Sequence, residues 1–251
     1  MFRWFLVGLA GWLLTTTAAA EFRIDNNVQG VKSTAFFFEG KFYSVIGDNG
    51  EIVEFDWEKK TFTLIDPSLR IQTQMNAEET RRRVEQLRQQ ILTDPSTKTD
   101  SFRYFAFKPV FVSEFDAASG KLALQSHWID YEIKTTPFTE PAAGMYYDFC
   151  EWVCYLNFRL NPGSAQMLIR LEVNRILRES QRFAVSVSES IYPRGKQGFA
   201  KPDRVSSSHD FVRRLGDTDR RRVEQIQEFK RTFSQVPFDE YQRLFAEKLA
   251  K

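Results

Sequence analysis

Short runs of alternating apolar and polar residues fill the segment 34–75. Within it, Val53, Phe55 and Trp57 fall on one face of a predicted strand, and the carboxylates between them fall on the other. Alternation with period two is typical of a strand that has one buried and one solvated face. Short polar turns separate the runs, so the pattern predicts four or five antiparallel strands joined as hairpins.

Other segments carry apolar stripes at helical spacing, which predicts helices with one buried face. Asn76 has the character of a capping residue, with an acidic residue three positions on. Segment 102–107 is a dense aromatic cluster that is either helical or extended. The predicted helices run from Ala77 to about Thr93, Pro141 to about Leu160, Ser164 to about Glu179, Asp217 to about Phe233 and Phe238 to about Leu249.

Further strands are predicted where β-branched and aromatic residues alternate with polar ones. They cover Val110 to Phe115, Leu122 to Gln125, Trp128 to Lys134, Phe183 to Ile191 and Arg204 to Phe211. The combined pattern predicts an α+β fold, with a curled, half-barrel-like antiparallel sheet packed against several helices. We expect one domain over residues 21–251, with candidate joints at 96–101 and 135–141.

The first twenty residues have the pattern of a signal peptide. Arg3 supplies a positive start, Phe5 to Leu14 is an apolar run, and Ala18 to Ala20 offers small residues for cleavage. A run of about ten apolar residues is too short to cross a bilayer. We therefore expect cleavage after Ala20 and export to the periplasm or beyond, with an uncleaved anchor as the alternative.

Charge and composition narrow the class of partner. The chain has 35 basic and 33 acidic residues, a near balance that gives no basic footprint for nucleic acid. The 24 phenylalanines are an unusually large supply of aromatic rings. Such a supply indicates either an interior or groove lined by rings, or a packed core rich in phenylalanine.

The two cysteines, Cys150 and Cys154, lie four residues apart on a predicted helix. Their Cβ atoms would then be about 5–6 Å apart, whereas a disulfide needs about 3.5–4.5 Å. We therefore predict two buried thiols and no bridge. The two histidines, His127 and His209, are far apart in sequence, so we predict neither a metal site nor a cofactor.

Segment 206–210 contains Ser, His and Asp, the residue types of a hydrolase triad. Adjacent residues of a strand point to opposite faces, so we expect no proton relay within this segment. The chain has no nucleophile elbow, phosphate loop or dinucleotide motif. We predict no catalytic residues, although a hydrolase built from scattered residues stays a third alternative.

Residues 34–92 resemble part of the half-barrel of periplasmic lipoprotein carriers and related exported proteins. The resemblance lies in the stretch FYSVIGDNGEIVEFDWEKKTFTLIDP and the capped helix after it. It implies a curved antiparallel sheet, closed by helices, that holds an acyl chain in an apolar cavity. Those carriers begin with a helix, whereas segment 21–33 of this chain is too polar for a good one.

From these patterns we predict a non-enzymatic exported envelope protein that binds a hydrophobic or lipid-like ligand between the sheet and a helical lid. The second hypothesis is a structural or partner-binding protein with a fully packed core. The predicted lining residues of the ligand site come from the hairpins and from the lid helix: Val53, Phe55, Trp57, Phe62, Leu64, Tyr146, Phe149 and Val153.

Two features remain open at this stage. A predicted hairpin tip with Arg194, Lys196 and Lys201 would suit either an anionic membrane surface or an ordinary solvated loop. The hexapeptide RRRVEQ occurs at 81–86 and again at 220–225. An internal duplication would explain the echo, and so would similar helical composition.

Overall fold

The computed structural model describes residues 21–47, 50–163, 165–192, 195–196 and 201–249. The predicted signal peptide, residue 164 and Arg194 lie outside this part of the chain. Within it, a single sheet of twelve strands runs through the molecule, and six helices pack on it. The predicted α+β fold with a largely antiparallel sheet is confirmed.

Six antiparallel strands form consecutive hairpins in the first part of the chain. The polar segment that begins at Glu21 is a strand, and it pairs directly with the next one. At one end of the sheet, Glu39 and Gly40 both have positive φ, as a two-residue hairpin turn requires. The strands are β1 Phe22–Val28, β2 Val31–Phe38, β3 Lys41–Ile46, β4 Ile52–Asp56, β5 Thr61–Asp66 and β6 Ile71–Asn76.

A second set of antiparallel strands extends the same sheet. They are β7 Val112–Asp116, β8 Lys121–Gln125, β9 Ile129–Pro137, β10 Arg182–Ile191 and β11 Asp203–Val212. The last of these pairs with β1, so the start of the described chain joins the two sets. A short parallel strand, β12 Ser234–Gln235, lies beside β6. In the part of the chain described, the sheet is open, with β12 and β7 at its edges.

The helices follow the predicted segments with small shifts at their starts. Ser101 caps α2, since its side chain accepts a hydrogen bond from the Tyr104 amide, and segment 102–107 is therefore helical. The third helix begins at Ala143, two residues after the predicted Pro141. The helices are α1 Ala77–Thr93, α2 Phe102–Phe107, α3 Ala143–Leu160, α4 Gln166–Glu179, α5 Asp217–Thr232 and α6 Phe238–Leu249. No helix of the described ranges is long and apolar enough to cross a membrane.

One face of the sheet, here called the inner face, carries the larger core. Side chains from every helix except α5 share this core with the inward rings of the hairpins. Phe149 of α3 meets Phe37 and Phe42 edge-on, with ring centroids 5.2 and 4.7 Å away. Trp152 lies 5.3 Å from Phe55. Rings supplied by distant parts of the chain therefore interlock at this interface.

The opposite, outer face of the hairpins is covered by α5. Val223 and Ile226 of this helix pack on a second core that includes Tyr43. As a result Glu54 is only 2% exposed and Asp56 is also buried. The predicted solvated face of β4 is therefore wrong, because a helix from much later in the chain covers it.

The two RRRVEQ hexapeptides lie in α1 and α5, on opposite sides of the sheet. Val84 belongs to the inner core, and Val223 belongs to the outer one. Each valine is the buried residue of its hexapeptide. The shared sequence thus corresponds to a shared way of presenting one apolar side chain beneath a charged helix surface.

Candidate functional site

The structure places most of the predicted lining residues in tight contact. Phe55, Phe62 and Leu64 are fully buried, and the ring of Trp152 lies against both phenylalanines. Tyr146 is buried against Phe138 and Phe183. The end of the inner face next to the turns at 39–40 and 57–60 is therefore a packed core. Val53, Trp57 and Val153 are the three predicted lining residues that are only half-buried.

The other end of the inner face is accessible. Val28 pairs in register with Val31 on β2 and with Ser207 on β11, while Ser33 lies between Asn26 and Ile46. Val28, Val31 and Ile46 are 41%, 59% and 45% exposed. We call this region the open inner face; it consists of the exposed Val28, Val31 and Ile46 and the half-buried Asn26, Ser33, Ser44, Val53, Ser207 and His209.

Three polar side chains on this surface form a hydrogen-bonded series. His209 Nε2 lies 3.0 Å from Ser207 Oγ, and Nδ1 lies 2.7 Å from Asn26 Oδ1. The amide oxygen accepts, so Nδ1 carries the proton and Nε2 accepts from the serine hydroxyl. Opposite facing applies to adjacent residues of segment 206–210, and this hydrogen bond joins Ser207 and His209, which are two apart. Residues two apart on a strand share a face, so the two side chains meet.

The pKa of His209 determines whether this series can activate Ser207. Burial, and then the positive charge of Arg170, lowers the pKa of His209 to about 4. The imidazole is therefore neutral at pH 7 and resists the proton that a general base must take from serine. Asn26 is neutral and cannot stabilise an imidazolium as a carboxylate does. The arrangement provides polar contacts on an otherwise apolar surface, and it is poorly suited to activating Ser207.

A second polar cluster lies beside the first, beneath α4. The Arg170 guanidinium sits over the ring of Tyr131, 5.6 Å from its centroid. The Tyr131 hydroxyl donates a 3.2 Å hydrogen bond to Glu189, its partner in the β9–β10 register. Burial raises the pKa of Glu189 in spite of the opposing charge of Arg170. The register between β9 and β10 shifts between Ala184 and Ser186, as at a β-bulge.

The two cysteines are free thiols on a continuous helix, as predicted. The Asn174 amide group donates to the Cys150 carbonyl oxygen at 3.2 Å and to Cys154 Sγ at 3.5 Å. Burial raises the thiol pKa to about 11 for Cys150 and about 12 for Cys154. Both groups are therefore protonated at neutral pH. Over the described ranges, no three His, Cys, Asp or Glu side chains cluster as metal ligands do.

A cleft of about 290 Å³ lies elsewhere, among the first four helices. Its floor is apolar, with Val84, Phe107 and Leu168 among its walls. The charged groups at its rim are paired with one another: Arg175 contacts Glu172 at 2.6 Å, for example. This cleft could hold a small apolar group, but its charges are already compensated.

The predicted basic tip is only partly within the described residues. Lys196 Nζ forms a 2.7 Å ion pair with Asp130, and it also lies over the ring of Tyr192. Lys201 is exposed to solvent. One of the two described lysines is therefore already engaged by the protein itself.

Sequence reasoning did not find Asn26 or Arg170. Spacing of two on a predicted strand was a usable signal for Ser207 and His209. No local signal links them to Asn26 or to Arg170, because these residues come from distant segments. A scan against protein-family models finds no match for this chain, and a search of curated proteins finds no significant one.

Proposed function

We propose that this chain is an exported, non-enzymatic envelope protein that binds a hydrophobic or lipid-like ligand on the open inner face. The observation that carries the proposal is the exposure of Val28, Val31 and Ile46 on the inner face of the sheet. Apolar side chains on the core-facing side of a sheet are ordinarily buried. Their exposure on the face that carries the larger core is typical of a surface that an apolar partner covers.

The position of this surface differs from the cavity expected from the sequence. The rings of Phe55 and Phe62, which were expected to line that cavity, pack against Trp152 instead. The ligand therefore lies nearer to Val53 and the β1–β2 turn. The resemblance of residues 34–92 to lipoprotein carriers agrees with a ligand on this side of the sheet.

A binding role fits the site better than catalysis does. His209 has a pKa of about 4, well below the value near 7 that suits a general base at neutral pH. If Ser207 were a nucleophile all the same, Ser207→Ala would abolish any ester hydrolysis by the purified protein. We expect wild type and Ser207→Ala to give the same background rate with p-nitrophenyl esters.

The second candidate function is partner binding, and the exposure of the edge strand β7 favours it. This edge strand is exposed along its whole length, and Val112 is 74% exposed. An unpaired edge with apolar side chains can add a strand from another protein. Its exposure also makes Val112 a suitable control site for the ligand experiment.

Native mass spectrometry of the protein, before and after delipidation, tests the first proposal. We expect a bound mass from the expression host that delipidation removes, and uptake of a hydrophobic fluorescent dye afterwards. Val31→Asp and Ile46→Asp should each weaken dye uptake at least tenfold, and Val112→Asp should leave it unchanged. A protein that carries no lipid and takes up no dye would instead favour the partner-binding function.

A further variant locates the ligand. Leu171→Trp fills the cleft among the helices, since Leu171 lines it. We expect this variant to bind dye as wild type does. Loss of binding in Leu171→Trp, with normal binding in Val31→Asp, would move the ligand to the helix cleft.

Export is tested separately by the mass of the secreted chain. If the leader is cleaved as proposed, the protein recovered from the periplasm begins at Glu21. A chain that retains its first twenty residues in the membrane fraction would support the uncleaved anchor instead.

A further inference from the structure

Arg170 is a half-buried cation whose guanidinium donates no hydrogen bond to the described residues. The guanidinium lies over the face of the Tyr131 ring, and it forms no ion pair with a described carboxylate. Glu189 is the nearest acidic influence on it, but that carboxylate is engaged by the Tyr131 hydroxyl. The face of Tyr131 and the charge of Glu189 stabilise the cation, but neither accepts the in-plane hydrogen bonds that a guanidinium donates. The position of Arg170 is therefore suited to an anion from outside the chain.

The surroundings of Arg170 connect this position to the open inner face. Arg170 projects from α4 onto β9 and β10, where Tyr131 and Glu189 lie. The strand β11, which carries Ser207 and His209, separates β10 from β1. Tyr131 lies on β9, three strand spacings or roughly 14 Å from β1, a distance that one amphiphilic molecule with a long acyl chain can span.

We propose that Arg170 binds the carboxylate or phosphate head of an amphiphile whose acyl chain lies over Val28 and Val31. This inference rests on the proposed function, and it adds the class of head group. The planar guanidinium offers paired donors that match a carboxylate or a phosphate.

Isothermal titration of the delipidated full chain tests the proposal with decanoate, decyl phosphate and the neutral decanol. We expect wild type to bind both anions at least tenfold more tightly than decanol. Arg170→Met should remove that difference, and Arg170→Lys should retain part of it. Arg159→Met is the matched control, since Arg159 is also half-buried and lies over an aromatic ring, that of Phe238 at 4.9 Å. It should behave as wild type.

A second measurement does not depend on the variants folding well. The NMR signal of the Arg170 Nε–H group, assigned by its absence in Arg170→Lys, should shift when decanoate is added and stay in place with decanol. An unshifted signal in decanoate-bound protein would overturn the head-group contact. Inorganic phosphate alone, added in a separate titration, distinguishes a free anion from a lipid head group.

The outcomes separate the two proposals. Equal binding of decanoate and decanol by wild type overturns the Arg170 contact and leaves the hydrophobic site standing. Inorganic phosphate that binds as tightly as decyl phosphate supports the anion site and removes the need for an acyl chain. If none of the three amphiphiles binds and phosphate does not bind either, both proposals fall.

Discussion

At the scale of single residues, His209 couples the polar series of the open inner face to the stability of the fold. Its pKa is about 4 in the folded chain, below the ordinary value of 6.5. The unfolded chain therefore binds the proton more readily between these values. The contribution of neutral His209 to stability is complete above pH 6.5 and is lost as the pH falls towards 4.

This leads to a measurable difference between wild type and His209→Gln. The free energy of unfolding of wild type, relative to the variant, should fall by about 2 to 3 kcal/mol between pH 7 and pH 4. Urea titrations at several pH values in that window measure it. Carboxylates also titrate there, but they are common to both proteins and cancel in the comparison. A difference that does not vary with pH would mean that His209 titrates normally.

The thiols of Cys150 and Cys154 provide a second prediction for single residues. Because burial raises the thiol pKa to about 11 and about 12, the reactive thiolate is scarce at pH 8. We expect iodoacetamide to alkylate the native protein at least about 100-fold more slowly than the urea-unfolded protein. Rapid alkylation of the folded chain would show that α3 opens locally, and a mass lower by two hydrogens would reveal a bridge.

The candidate site shows why single residues were harder to predict than segments. Ser207 and His209 were visible in the sequence, but only a spacing of two on a strand brings them together. Asn26 contacts His209 through the β1–β11 pairing, and α4 brings Arg170 close enough to lower the pKa of His209. Neither event leaves a local pattern, so the site depends on tertiary topology that periodicity does not encode.

At the scale of elements, α5 is fixed to the sheet by an ion pair that is buried at one end. Lys230 Nζ lies 2.5 Å from Glu54 Oε1, and the Glu54 carboxylate is 2% exposed. Lys41 is farther away, at 4.0 Å from the same oxygen. The other oxygen of Glu54 has no hydrogen-bond partner among the described residues. The carboxylate therefore depends strongly on Lys230.

Replacing Lys230 with Met should destabilise the fold by about 3 kcal/mol, because a buried carboxylate loses its main counterion. Glu54→Gln in the same chain should recover much of that loss, since the charge is then gone. Chemical denaturation of the two variants measures both effects. Arg231→Met is the control, because Arg231 and its partner Glu228 are exposed, and it should change little. If Lys230→Met and Arg231→Met destabilised the fold equally, the ion pair between Lys230 and Glu54 would not be what fixes α5 to the sheet.

Elements were the level at which the sequence was most informative. Alternation located the hairpins of β2 to β6, and apolar stripes located the helices that cover them. The burial of β4 was predicted wrongly from alternation. Its polar residues Glu54 and Asp56 were expected to face solvent, but they lie under α5. The two carboxylates of this row are paired with lysines, Glu54 with Lys230 of α5 and Asp56 with Lys41 of β3. Such compensation by distant residues is not visible in the local pattern.

At the scale of the whole molecule, β1 joins the two sets of strands into one continuous sheet. It pairs with β2 on one side and with β11 on the other. The sequence offered candidate joints at 96–101 and 135–141, but the sheet runs past both without a break. Strands from the two ends of the chain therefore share one hydrogen-bonded sheet and one inner core.

This continuity predicts that the two sets of strands unfold together. Ile24 in the middle of β1 is almost completely buried, and Ile24→Ala should cost about 2 to 5 kcal/mol. Hydrogen exchange should then show lower protection in β3 to β5 and in β9 and β10 alike, and thermal unfolding should remain one transition at a lower midpoint. The conservative variant Ile24→Val should produce the same pattern at a smaller amplitude. Loss of protection in only one set of strands, or two thermal transitions, would contradict this prediction. The two sets would then be stabilised independently, although they share one hydrogen-bonded sheet.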